Sequence, residues 1–167
     1  MYYLLFPSPK THLEHGVDVF FYDVKLKIYD IDAALGYVFS ACPLPHNATP
    51  VNTYLPLLAI YCKFMALLII QGTPNMNEFP KTACIVVGVP RGSGGIKAIM
   101  FGATIRGEKS VIQPLRRRLL EDAYGQVGFP KNPIKPQYGH CAETYPFICN
   151  LDRYVLHCVL TLSGTRS

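Results

Sequence analysis

Apolar positions along this chain fall into short runs with different periods. Val24, Leu26 and Ile28 alternate with Lys25 and Lys27, a period of two that predicts a half-buried strand within residues 16–31. From Cys42 to Pro50 the run Cys-Pro-Leu-Pro-His-Asn-Ala-Thr-Pro carries three prolines. Each fixes φ and removes a backbone donor, so an ordered connector is expected there. Asn52 or Thr53 then suits an N-cap, Pro56 fits a first turn, and apolar residues run to Ile70 before Gly72 and Pro74 stop them. The pattern predicts a helix of roughly 18 residues, about 27 Å long. A helix apolar all round belongs either in a core or in a bilayer. Lys63 sits at its centre, where an ammonium in lipid costs at least about 2.5 to 3.5 kcal/mol. Tyr54, Tyr61, Cys62 and Gln71 dilute it further. A core helix is therefore expected, with membrane association through residues 54–70 as the alternative.

Residues 83–89, Ala-Cys-Ile-Val-Val-Gly-Val, are a β-branched run bounded by Pro80 and Pro90, which reads as a buried strand. A second apolar run, Ile96 to Thr104, follows the loop Pro90-Arg-Gly-Ser-Gly-Gly95. Two such runs around a Gly-rich loop predict an antiparallel hairpin. The loop lacks both the six-position spacing of a dinucleotide fingerprint and the Lys-Ser/Thr ending of a nucleotide loop, so a turn is expected rather than a phosphate cradle. Ser110 to Tyr124 predicts an amphipathic helix with Val111, Ile112, Leu115, Leu119 and Leu120 inward. Arg116, Arg117 and Arg118 are expected on its polar side as a solvated face, with a nucleic-acid contact as the alternative, which is disfavoured because three adjacent arginines point in different directions around a helix. Residues 125–139 read as loop, broken by Pro130, Pro133 and Pro136.

Composition narrows the class. At 167 residues with 50% apolar and 16% charged side chains, the chain closes one core, is far from disordered composition, and has no room for a large two-domain enzyme. The formal charge is 16 minus 11, or +5, compatible with an anionic ligand but not specific for one. Six scattered cysteines lack the spacing of a disulfide framework and read as reduced thiols. Met1-Tyr-Tyr-Leu-Leu-Phe-Pro has no basic n-region and too short an apolar run for a signal peptide. An intracellular location, cytoplasmic or nuclear, is expected, and the Asn47-Ala-Thr triplet is then no glycosylation site.

Candidate chemistry concentrates in Tyr138-Gly-His-Cys-Ala-Glu-Thr-Tyr-Pro-Phe147. Cys141-Ala142-Glu143 resembles the first zinc motif of the cytidine deaminase superfamily. The apolar helix, the hairpin and the motif helix come in the order of that fold's first half. From about Asn47 to Phe147 the chain resembles a group of uncharacterised fungal deaminase-like proteins whose hallmark is Gly-x-Cys-Ala-Glu-Thr-Tyr-Pro-Phe. The resemblance implies an α/β fold of α-β-α layers with a mixed sheet, and a zinc-dependent hydrolytic deaminase acting on a nucleobase in a nucleoside or nucleic acid. Cys141 would then be a zinc ligand, and Glu143 the proton shuttle to a metal-activated water. Ala142 would present its amide to the substrate, and Gly139 and His140 would shape the entrance.

One departure matters. The family's second motif, Pro-Cys-x-x-Cys, does not occur in these 167 residues. Cys149 lies eight residues beyond Cys141, about 12 Å along a helix, too far to share a metal; Cys158 has no neighbour at ligand spacing. His140-Cys141 as base and nucleophile is disfavoured because sequence neighbours point apart. The expected organisation is an amino-terminal extension over 1–46, half a deaminase-like domain over 47–150, and an atypical tail over 151–167 that arises by truncation or mis-splicing and contains an apolar run at 155–162 able to form a third strand. The chain is thus expected to be inactive, a deaminase-derived remnant or binding protein being the alternative from another class. An exposed sheet edge would favour homo-oligomers.

Overall fold

The computed structural model describes residues 12–21, 24–72, 82–90, 98–105, 109–126, 139–150 and 154–163. Helix and strand are mixed, and every described strand pair is antiparallel. Most of the Gly-rich loop after Pro90 and most of the proline-rich loop before Gly139 lie outside the described residues, as does the amino-terminal run read against a signal peptide.

The alternating run forms β2 (Val24–Asp30), which pairs with β1 (His12–Phe21). Leu26 and Ile28 are buried while Lys25 is exposed, the pattern of a half-buried strand. The register shifts between His12 and Val17, where Gly16 takes φ +64, a left-handed conformation that glycine adopts without penalty. Asp30 ends β2 and caps α1 (Ile31–Ser40), its Oδ1 accepting the Ala33 N–H at 2.9 Å. Neither β1 nor α1 was expected from the sequence. Both belong to the described part of the segment read as an extension, and α1 packs closely on β4 (Ala98–Ala103).

After the connector, the cap differs from expectation. Thr49, rather than Asn52 or Thr53, closes a capping box with Asn52, and Pro50 takes the first position. Residues Pro50–Tyr54 form a wide turn in which Tyr54 N–H donates to the Thr49 carbonyl at 3.1 Å. α2 (Leu55–Gly72) continues from it. Among the described residues no helix is long and apolar enough to cross a membrane, which leaves the membrane alternative without support.

The expected hairpin is β3 (Thr82–Pro90) with β4, registered Ala83 with Ala103 through Gly88 with Ala98. A third strand, β5 (Tyr154–Ser163), arises from the run read as a tail and pairs along the other side of β3, giving the order β4-β3-β5. Period two divides the sheet faces. Ala83, Ile85, Val87, Ile99, Phe101 and Ala103 meet Tyr54, Leu58, Tyr61 and Met65 of the α2 side. Cys84, Val86 and Met100 face the opposite way, toward Ala142 and a cluster from α3 (Lys109–Gln126) and α4 (Thr144–Asn150). Helix, sheet and helix therefore form three layers. Each buried apolar side chain of this kind contributes about 1.5 to 3 kcal/mol.

Arg116 corrects the reading of α3. It is fully buried, not solvated. Its Nη2 and Nε donate to Asp30 Oδ2 at 2.8 and 3.0 Å, and Nη1 donates to the Ala103 carbonyl at 3.0 Å. Burial alone would depress its pKa, but the Asp30 carboxylate outweighs that and holds it above the ordinary value.

Candidate functional site

The motif segment begins at Gly139, whose φ of +90 requires glycine. A Cβ there would lie 2.8 Å from the Gln113 carbonyl oxygen and 2.9 Å from the Arg117 nitrogen, so the chain crosses directly against α3. His140 is half-buried, and its carbonyl accepts the Ile105 N–H at 3.4 Å. Cys141, Ala142 and Glu143 form a turn, and α4 starts only at Thr144. The motif triplet thus precedes the helix instead of opening it. Thr144 closes the turn, donating from both its hydroxyl (2.8 Å) and its N–H (3.3 Å) to the Cys141 carbonyl.

The three central residues take separate positions. Ala142 is buried against Cys84 and Val86 of β3, and its carbonyl oxygen lies so close to Gly102 of β4 that a Cβ at Gly102 would collide with it. Cys141 is exposed and Glu143 half-buried. The backbone of Glu143 starts the helical ladder, its carbonyl accepting from Phe147 N–H at 2.8 Å. Cys84 lies beneath this turn as a protonated thiol, pushed well up by burial and secondarily by the Glu143 carboxylate. Cys149 is a core residue of α4, its thiol pushed up to about 12 by burial.

The described residues do not assemble a zinc site of the kind the resemblance implies. The motif offers one exposed cysteine, Cys84 is held neutral, and zinc sites use three or four protein ligands. Among the described residues no group of three His, Cys, Asp or Glu side chains could hold a metal.

No family model, curated protein or solved structure matches this chain.

The rest of the motif is structural. Tyr145 is buried, with its ring 4.9 Å from the Arg116 guanidinium, a cation–π contact made stronger by desolvation. Its hydroxyl accepts from Tyr29 N–H at 3.2 Å and donates to the Lys27 carbonyl at 3.4 Å. Pro146 approaches Gly102 beside Ala142. A knot of Asp30, Arg116, Tyr145 and the end of β4 therefore ties the motif turn to β2, α1 and α3. Burial chiefly pushes the Tyr145 phenol up, so it stays neutral at ordinary pH. A second buried phenol, Tyr61 on α2, donates to the Asp32 carbonyl at 2.8 Å and is likewise raised, first by burial and then by Asp32. Sequence reading passed over Asp30 and Asp32 and placed Arg116 on the solvated face. The available signal was spacing: Arg116 stands four residues after Ile112 and four before Leu120, inside the apolar stripe.

Proposed function

We propose that this chain is a cytidine deaminase-like domain in which Cys141, Ala142 and Glu143 mark a nucleobase-binding turn, and that its 167 residues do not catalyse deamination by themselves. The observation that carries this reading is the seating of the motif turn: Ala142 is buried on Cys84 and Val86 while its carbonyl abuts Gly102. That is a motif segment docked on an antiparallel hairpin, in the element order the resemblance implies. The third strand, β5, antiparallel to β3, supports it too.

In this reading the residues divide their work without a metal. Gly139 turns the chain into the site, and His140 stands at its entrance. Cys141 is exposed and Glu143 half-buried, and in this reading a base edge would meet these two side chains. A carboxylate there accepts hydrogen bonds from the exocyclic amine of a cytosine-like or adenine-like base. Hydrolysis requires a zinc-bound water, and one thiolate does not hold that ion. That the described residues bring no group of three ligands together at the motif favours a non-catalytic, base-binding product over an active enzyme.

Sequencing the transcript through and beyond the codons for residues 147–167 tests this. A frame ending at Ser167 leaves the non-catalytic domain standing. A frame that continues past Phe147 into a strand and a Pro-Cys-x-x-Cys helix would overturn the non-catalytic part and restore Cys141 and Glu143 to zinc-dependent deamination.

A further inference from the structure

We draw no further inference here: the strongest candidate, the outer face of α2 where Ile60, Phe64 and Leu67 stand exposed, is an unpartnered apolar helix face, and nothing in the structure shows what covers it.

Discussion

Asp30→Asn isolates the buried ion pair from everything else Asp30 does. Oδ1 caps α1 through the Ala33 N–H, while Oδ2 alone accepts from Arg116. Asparagine caps helices about as well as aspartate, so the substitution spares the cap and removes the charge. Arg116 is fully buried and keeps its proton at any ordinary pH, which leaves an uncompensated cation between the sheet and α3. Breaking a buried pair from one side costs about 3 to 5 kcal/mol. Against a total stability of about 5 to 15 kcal/mol that is a large share. At this chain length 1 kcal/mol moves Tm by roughly 2 to 4 °C, so a fall of about 6 to 20 °C is expected. Asp30→Ala should cost about 1 kcal/mol more, because the cap goes as well. Arg116→Met combined with Asp30→Asn should cost less than the sum of the single changes by at least about 1 kcal/mol, because no charge is then left buried alone. Urea unfolding at pH 7, followed by circular dichroism and by tyrosine fluorescence, reads these values; the chain has 11 tyrosines and no tryptophan. Loss of under about 1 kcal/mol in Asp30→Asn, or strict additivity in the double variant, would refute the assignment of a coupled, desolvated pair.

Three further outcomes follow from the same packing. Gly102→Ala should destabilise by about 1 to 3 kcal/mol or more, because its Cβ meets the immovable Ala142 carbonyl; a variant as stable as the native chain would show that the motif turn is not seated on β4. Stability should fall above about pH 9, by roughly 1.4 kcal/mol per pH unit for each buried thiol, because the unfolded state loses protons that native Cys84 and Cys149 retain. The stabilisation is complete below the unfolded thiol pKa and drains away as pH rises toward about 12 for Cys149; urea midpoints flat from pH 8 to pH 11 would contradict it. Peptide mapping after brief N-ethylmaleimide treatment should find Cys42 and Cys141 labelled before Cys84 and Cys149, in line with their exposure, and rapid labelling of Cys84 would place that thiol elsewhere.

How legible the molecule was in its sequence varied with what each signal depends on. Period-two alternation exposed β2, and the paired apolar runs exposed β3 and β4, because those patterns arise within one segment. α1 escaped, since Ile-Asp-Ala-Ala-Leu-Gly-Tyr-Val-Phe-Ser mixes a buried Asp32 and a packed Gly36 into its inner face, and only tertiary contact explains either. Gly36 lets the helix approach the Phe101 carbonyl of β4. The turn at Cys141 was visible as a motif, whereas its dependence on Arg116 and Asp30 was not: those two are 86 positions apart. A charged triplet reads as surface until one member finds a carboxylate in the core. The capping box at Thr49 escaped for a smaller reason, a wide first turn that shifts the helix start.

α1 does one more thing to the sheet. Ser40 Oγ donates to the Gly36 carbonyl and accepts the Phe101 N–H at 3.1 Å, and Gly36 presses on the Phe101 carbonyl. The outer edge of β4 is therefore occupied by a helix, at the positions where another strand's backbone would have to bond. A second chain therefore finds no template at the β4 edge: the protein's own helix holds the backbone groups on which strand addition would begin.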